Sequence, residues 1–222
     1  MHLRTTHFGK MAHALLRGTG IEIGPLHMPF DLDATVLYAD RYTTKELHEQ
    51  YKEHDYCDKI VPIHFVSKDD KYPFICNDAF DFVISSHVLE HLCNPGMTIQ
   101  EWLRIIKTGG CIYMVVPHKD YCFDKTRNVS DPDQLIDKFQ NKVDFIGIDR
   151  YIDYFTNIKA PQEFSFDFIL EQYKKQTSIH VHTFTLESLL AFFDKLSRYL
   201  PFSLEYFEQI GALHLHVAIR KK

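Results

Sequence analysis

A strand–turn–strand pattern near the amino terminus constrains the fold of this chain more than any other feature. Residues 20–25 have the sequence Gly-Ile-Glu-Ile-Gly-Pro, and residues 35–40 have the sequence Thr-Val-Leu-Tyr-Ala-Asp. In a parallel α/β sheet, ligands bind in the crevice at the carboxyl ends of the strands. Gly24 lets the backbone approach a ligand closely, and Asp40 is placed to accept hydrogen bonds from two ribose hydroxyls. The pattern therefore predicts one half of a nucleoside site.

Strands and helices alternate along the chain as far as Pro117, which predicts a parallel sheet with right-handed crossovers. A helix is expected to begin near His87, to be interrupted at residues 94–96, and to resume over residues 97–107. The last two strands are short and adjacent, which predicts a hairpin at one edge of the sheet. The predicted strands cover residues 20–23, 35–39, 61–66, 80–84, 111–116, 202–209 and 213–220.

The alternation stops after Pro117. We expect a polar loop over residues 118–130, a helix over 131–140, an irregular aromatic stretch over 143–159 and a helix over 163–174. A long excursion between sheet strands is uncommon unless it carries function. Its aromatic residues suit either an acceptor pocket or a small satellite core. We therefore predict one domain, residues 1–222, with an acceptor-binding insertion at about 118–182.

Composition excludes several classes of protein. The 222 residues carry a formal charge of −5, which gives no general attraction to nucleic acid. The five cysteines form no Cys-x-x-Cys pair, which argues for a reducing compartment and against a disulfide framework or a thiolate zinc site. The amino terminus lacks the apolar core of a signal peptide, and no apolar run approaches the roughly 20 residues of a membrane helix. These observations predict a cytoplasmic protein without a membrane span.

Three blocks of the sequence resemble class I S-adenosylmethionine-dependent methyltransferases, and within them the methyltransferase type 11 group. The likeness covers about residues 18–130. The blocks are Glu22-Ile-Gly24-Pro with Asp40 behind it, Phe80-Asp-Phe-Val-Ile-Ser-Ser-His-Val-Leu-Glu-His-Leu92, and Glu101-Trp-Leu-Arg-Ile-Ile-Lys-Thr-Gly-Gly-Cys-Ile-Tyr-Met-Val-Val-Pro117.

The resemblance implies a Rossmann-like α/β fold: a seven-stranded, mostly parallel sheet with its last strand antiparallel and helices on both faces. It implies S-adenosylmethionine as cofactor and S-adenosylhomocysteine as product. Two departures matter, because Leu26 and Met28 stand where the family often has glycine, and Asp69 is only an approximate match to the acidic residue beside the adenine. The residues that the resemblance assigns to the cofactor are Glu22, Gly24, Pro25, Leu26, Asp40, Arg41, Asp69, Ser86 and His87.

Methyl transfer to a hydroxyl benefits from a base within hydrogen-bond reach, and histidine suits this role near neutral pH. His87 serves either as base or as a group that orients the cofactor. Asp124 and Arg127 serve either to grip acceptor hydroxyls or as a local salt bridge. The candidate catalytic residues are His87, His118, Asp120 and Asp124, and the candidate acceptor-binding residues are Tyr121, Asp124, Arg127 and His182.

Residues 87–91 also match the His-x-x-Glu-His pattern of one class of zinc peptidases. The methyltransferase-like block accounts for these residues, so the sequence predicts no metal site. An NAD-dependent oxidoreductase would need Gly-x-Gly-x-x-Gly at the first turn, which residues 24–29 do not supply. A methyltransferase-like module that binds cofactor without turnover remains an alternative.

The insertion indicates the acceptor only in outline. Residues 131–170 contain more Asp and Glu than Lys and Arg, which disfavours nucleic acid and phosphorylated acceptors. Aromatic rings interleaved with carboxylates suit a neutral polyhydroxylated molecule. We therefore expect O-methylation of a sugar hydroxyl of a glycan, with a small phenolic or other metabolite as the alternative acceptor. The sequence leaves the oligomeric state open.

Overall fold

The structure is a computed structural model that describes residues 7–160 and 163–222; residues 1–6 and 161–162 of the predicted domain lie outside the described residues. The sheet has seven strands in the order β3-β2-β1-β4-β5-β7-β6. The strands are β1 (Thr19–Ile23), β2 (Thr35–Asp40), β3 (Phe65–Val66), β4 (Phe80–Ser86), β5 (Ile106–Pro117), β6 (Phe202–Ile210) and β7 (His214–Lys221). The helices are α1 (His7–Leu15), α2 (Thr44–Gln50), α3 (Pro95–Ile105), α4 (Pro132–Gln140), α5 (Ile148–Asn157), α6 (Phe166–Lys175) and α7 (Leu186–Leu196).

Both faces of the sheet are buried under helices. Successive side chains of a strand point to opposite faces, so they enter different cores. In β4, Val83 joins a large core under α3 and α7, whereas Phe82 and Ile84 join a smaller core that also contains Ala12 of α1. The continuous apolar run in β4 is therefore required, and the predicted Rossmann-like fold with helices on both faces is confirmed.

The antiparallel strand β7 brings a distant residue to the functional edge. β5 pairs with β4 in parallel and with β7 in antiparallel orientation, and Pro117 at the end of β5 faces His214 at the start of β7. The beginning of β7 therefore lies beside the carboxyl ends of the parallel strands. The predicted hairpin of the last two strands is confirmed, because β6 pairs with β7 in antiparallel orientation.

The insertion returns to the same edge. Lys119 N–H donates to the Phe184 carbonyl at 2.8 Å, and His182 N–H donates to the Glu90 carbonyl at 3.0 Å. The segment before α7 is thereby fixed against the exits of both β4 and β5. Helices α5 and α6 form a satellite core centred on the buried Tyr151 and Ile169.

Four expectations about elements were wrong or only partly right. Residues 148–157 are a helix rather than an irregular stretch, because Ile148, Tyr151, Ile152 and Phe155 recur at helical spacing. The helix expected near His87 is only a 3-10 turn over Leu89–His91. β5 begins at Ile106, where we expected α3 to continue, and β3 is two residues long at the sheet edge.

Candidate functional site

The turn after β1 depends on Gly24. Its φ is +66°, a region that other residues adopt at a cost, and an added Cβ would lie 3.0 Å from Cγ2 of Val88. Leu26, at a position where the family often has glycine, has a φ of 46°, and its carbonyl accepts from Val61 N–H at 3.0 Å. Pro25 is buried, and its carbonyl accepts from Met28 N–H at 3.0 Å. The turn therefore keeps a left-handed backbone without the usual second glycine.

Glu22 supports this turn from below. Its side chain is buried, and its carboxylate oxygens accept from Phe30 N–H at 3.1 and 3.0 Å. Because these hydrogen bonds join β1 to the far end of the loop, Glu22 fixes the loop's shape.

Three carboxylates lie near the β2 exit, and their hydrogen-bond partners differ. Asp40 accepts from Tyr42 N–H at 3.0 Å, and burial raises the pKa of its carboxyl group although the Tyr42 and Arg41 amides oppose the change. Arg41 binds Asp70 with two hydrogen bonds, at 2.6 and 3.3 Å. Asp69 instead shapes its own loop, accepting from Ser67 and Lys71. A partly desolvated carboxylate at Asp40 gains from the hydroxyl donors of a ribose, so this end fits the nucleoside of the implied cofactor.

A cavity of about 1060 Å³ extends from this end to the insertion. Its lining includes Arg41 and Asp69 near the β2 exit, His91 and Met97 after β4, and residues 144–146 and 175–179 of the insertion. Of the residues assigned to the cofactor, only these two line the cavity; Gly24, Asp40 and His87 lie beyond its walls. The cavity connects the nucleoside end with the insertion and is large enough for an acceptor.

His87 stands at the exit of β4, after Ser86, with a φ of +55°. Its Nε2 lies 3.1 Å from Nδ1 of His214, and its Nδ1 lies 3.6 Å from Oε1 of Glu90. Burial, with His214 and His180 nearby, lowers the pKa of His87 to about 4. The ring is therefore neutral near pH 7 and able to accept a proton.

Glu90 is the most unusual residue of the site. It is fully buried, and both carboxylate oxygens lack a hydrogen-bond partner within the part of the chain that the structure describes. Burial, reinforced by the charge of Asp124, raises the pKa of Glu90 to about 8, although its own backbone amide opposes the change. Buried polar groups are normally paired, so this carboxylate requires an explanation.

Two imidazoles face Glu90 in fixed orientations. His91 Nδ1 lies 2.9 Å from the Ile179 carbonyl, and His180 Nδ1 lies 2.5 Å from Oδ2 of Asp124. Both partners only accept, so each Nδ1 carries a proton, and His91 Nδ1 also lies 3.1 Å from the Ser178 hydroxyl. Each Nε2 lies 3.9 Å from Oε1 of Glu90. Burial, together with His180, lowers the pKa of His91 to about 3, so its ring is neutral.

Asp124 and Arg127 form a buried ion-pair network. Arg127 donates to Asp124 at 2.7 Å, to the His180 carbonyl at 2.9 Å and to Asp153 at 2.8 Å. Burial alone would raise the pKa of Asp124, but hydrogen bonds and charges from His180 and Arg127 hold it below its ordinary value. Of the two alternatives for Asp124 and Arg127, an acceptor grip or a local salt bridge, the structure contains the salt bridge.

His118, Asp120 and Tyr121 gather at the end of β5, apart from Glu90. His118 Nδ1 accepts from Asp120 N–H at 3.2 Å, and its ring centroid lies 5.0 Å from that of the exposed Tyr121. Asp120 pairs with Lys119 at 2.8 Å, and this hydrogen bond lowers the pKa of Asp120.

His182 is enclosed instead of facing the large cavity. Its Nε2 lies 3.4 Å from the Cys93 carbonyl, and its Nδ1 has no hydrogen-bond partner among the described residues. Burial lowers the pKa of His182 to about 3. The structure therefore separates His182 from His180, although they are two residues apart.

Sequence reasoning gave no functional role to Glu90, His91, His180 or His214. Two signals were present: the His-x-x-Glu-His run and the His-x-His run at residues 180–182. Neither pattern reveals that the insertion folds back onto the β4 exit.

Comparison with known proteins agrees with this geometry. Residues 17–114 match the model of a family described as a methyltransferase domain. A search of curated proteins finds no match. A methyltransferase of Methanosarcina mazei, S-adenosylmethionine-dependent by its description, shares 14% identity and a TM-score of 0.54, with 96% of this chain and 97% of that chain covered.

A second solved structure is that of a Rhodobacter sphaeroides protein provisionally assigned to the Zn-dependent alcohol dehydrogenases. It shares 15% identity and a TM-score of 0.52, with 94% of this chain and 86% of that chain covered. At these identities the two structures establish the fold alone. No helix within residues 7–160 and 163–222 is long and apolar enough to cross a bilayer.

The cofactor implied by the family fits this chain. The left-handed turn at Gly24 lets a ligand approach the backbone, and the half-buried Asp40 lacks the hydroxyl donors that a ribose supplies. The family match over residues 17–114 and the seven-stranded fold support a class I S-adenosylmethionine-dependent methyltransferase, a family that implies S-adenosylmethionine as cofactor and S-adenosylhomocysteine as product.

Proposed function

We propose that this methyltransferase O-methylates a sugar hydroxyl of a glycan. The observation that supports this acceptor most directly is the cavity between the nucleoside end and the insertion. Its wall contains an aromatic ring, Phe145, that is 68% exposed, together with the carboxylates of Asp144 and Glu101. Sugar faces stack on rings and sugar hydroxyls donate to carboxylates. Five basic and four acidic side chains line the cavity, so its charges nearly cancel, which suits a neutral acceptor.

The cofactor residues have distinct roles in this proposal. Gly24 allows close approach of the cofactor, Glu22 and Pro25 hold the turn, and Asp40 accepts the ribose hydroxyls. Arg41 and Asp69 border the cavity at the nucleoside end. Bound S-adenosylmethionine supplies an electrophilic methyl group on a sulfonium.

His87 is the base in this proposal. His87 does not line the cavity itself but lies at the exit of β4, in the turn that contributes His91 to the cavity wall. Its side chain is 35% exposed, and its ring is neutral near pH 7. Accepting the hydroxyl proton at one ring nitrogen raises the nucleophilicity of the acceptor oxygen as the new bond forms. The neighbouring His214, 3.1 Å from Nε2, is positioned to share the charge that develops. His118 and Asp120, which lie beyond β5, are then structural rather than catalytic.

The test is methyl transfer from labelled S-adenosylmethionine to a panel of neutral glycans, small phenols, amines and nucleic acids. We expect label on the glycans, at an oxygen. Label on phenols alone would favour the alternative acceptor, and label on amines or nucleic acids alone would contradict the proposal. Calorimetry with S-adenosylhomocysteine runs in parallel: cofactor binding without transfer to any acceptor would indicate a binding module.

A further inference from the structure

We propose that Glu90, His91 and His180 form a binding site for one divalent transition-metal ion of the zinc type. One carboxylate oxygen and two imidazole nitrogens lie within 4.8 Å of one another. Glu90 and His91 come from the turn after β4, whereas His180 comes from the returning segment of the insertion. The site thus joins two segments that the ordinary methyl-transfer chemistry does not require to be joined.

Both imidazoles use Nδ1 for hydrogen bonds to acceptors, so Nε2 is the nitrogen that remains for a metal. His180 Nδ1 donates to Asp124 at 2.5 Å, and His91 Nδ1 donates to the Ile179 carbonyl at 2.9 Å. In protein metal sites, a ligating histidine characteristically donates its other ring N–H to a carboxylate or a backbone carbonyl. Both arrangements occur here, and both leave Nε2 directed towards the same carboxylate.

The carboxylate itself is the second, independent observation. Glu90 is fully buried, and neither of its oxygens has a hydrogen-bond donor among the described residues. Both imidazoles donate from Nδ1 to other groups, and each Nε2 is 3.9 Å from Oε1 of Glu90, which is beyond hydrogen-bond distance. A cation between the three side chains would satisfy the carboxylate and both lone pairs together.

The spacing suits a small ion after slight contraction. Oε1 of Glu90 is 3.9 Å from Nε2 of His91 and 3.9 Å from Nε2 of His180. Zinc bonds of about 2.0–2.2 Å in a tetrahedral arrangement separate neighbouring ligand atoms by about 3.3–3.5 Å. The two carboxylate–imidazole separations therefore need to shorten by about half an ångström. His87 Nδ1, 3.6 Å from the same oxygen, lies beside the position left for a fourth ligand.

The donor set selects the class of ion. Two imidazoles and one carboxylate favour zinc and its first-row neighbours, whereas magnesium and calcium prefer oxygen ligands throughout. The residue that orients His180 is itself held in place, because Arg127 donates to Asp124 at 2.7 Å. Access is open on one side, because the side chains of His91 and His87 are 30% and 35% exposed.

The test is zinc binding by chelator-treated full-length protein, measured by calorimetry in the absence of cofactor and acceptor. We expect one zinc ion per chain and a loss of affinity of at least about tenfold in Glu90→Gln and in His180→Gln. The matched control is His48→Gln, which removes an exposed histidine outside the cluster. Because neither cofactor nor acceptor is present, failure of this test is distinct from failure of the proposed methyl transfer.

Cobalt supplies a readout that does not depend on the folding of a variant. Co²⁺ added to the chelator-treated wild type should give the intense visible absorption of a four- or five-coordinate ion with nitrogen ligands, and zinc should displace it. The spectrum of aqueous cobalt alone, or zinc binding that Glu90→Gln and His180→Gln leave unchanged, would overturn the proposal.

Discussion

The β1–β2 end of the site and the β4 end are assembled in different ways. At the β1–β2 end, Gly24 and Asp40 come from neighbouring strands close in sequence, and backbone amides and carbonyls hold them in place. At the β4 end, His87 meets His214 across 127 residues, and His91 meets Ile179 across 88. The first end is a local product of a strand–turn–strand unit, whereas the second exists only when the insertion and β7 have folded onto the sheet.

In the proposed function, this difference separates cofactor binding from acceptor chemistry. A class I cofactor site needs a turn, a carboxylate and a sheet edge, all of which the first end supplies. The β4 end carries the titratable groups, and their burial shifts the pKa values of His87 and Glu90 in opposite directions. Variants at the two ends should therefore affect different measurements.

The largest expected effect is on turnover at the β4 end. His87→Asn should slow methyl transfer by about 100-fold or more while cofactor affinity stays unchanged, because the base is lost and the cofactor's contacts remain. Asparagine tolerates the left-handed backbone of this position, so the turn should persist. The measurement is the single-turnover rate with the acceptor found in the panel.

The control for that variant is His118→Asn, which removes the other histidine that the sequence offers as base. Its rate should remain near that of the wild type. If His118→Asn lost the activity and His87→Asn kept it, the assignment of the base would be wrong.

Asp124→Ala should destabilise the fold by about 3 kcal/mol, because it leaves the buried Arg127 without one of its two carboxylates. Urea unfolding measures the change. The matched control is Asp133→Ala, which breaks an exposed pair with Lys195 and should cost no more than about 0.5 kcal/mol. Equal effects of the two variants would mean that the Asp124 network does not hold the insertion.

Asp40→Ala should weaken S-adenosylhomocysteine binding by about 1–3 kcal/mol, because ribose hydroxyls lose a buried acceptor. Calorimetry gives the affinity, and circular dichroism checks the fold. Asp33→Ala is the control, since its exposed carboxylate lies 3.7 Å from Arg17 and outside the site. Unchanged affinity in Asp40→Ala would place the ribose elsewhere.

The β4 end also predicts a pH dependence of stability in metal-free protein. Burial raises the folded-state pKa of Glu90 to about 8, well above its ordinary value, so the folded state holds this proton more tightly than the unfolded state. The wild type should therefore lose stability relative to Glu90→Gln as pH rises from about 5 to 8, by at most about 1.4 kcal/mol per pH unit.

The difference between the two proteins isolates Glu90, because the neighbouring His87, His91, His180 and Asp124 are present in both. Urea unfolding at several pH values in the presence of chelator provides the measurement. A difference that stays constant across this range would show that Glu90 is not buried as a neutral acid.

The sequence allowed most of the fold and the first end of the site to be predicted, for a physical reason. Buried strands and capped helices have local patterns, as in β4, or in α3, where Asn94 caps the Met97 amide. The positions of Gly24 after β1 and of Asp40 at the end of β2 could be predicted from the same local patterns. The helix α5 was missed although Ile148, Tyr151, Ile152 and Phe155 recur at helical spacing.

The β4 end could not be predicted because its contacts depend on chain reversal. His180 and His182 are equivalent in a one-dimensional pattern, yet one faces Glu90 and the other is enclosed near Cys93. Likewise, the sequence allowed Asp124 and Arg127 either to bind acceptor hydroxyls or to form an ion pair. The positions of Asp153 and His180 around them are visible only in the structure.

The most direct test of the account is a crystal structure of the protein grown or soaked with S-adenosylhomocysteine. The account predicts the ribose at Asp40, the amino-acid end above the Gly24 turn, and the sulfur near His87 at the exit of β4. Ligand density elsewhere, or a crevice that stays empty at saturating ligand while Val88 remains packed over Gly24, would contradict it.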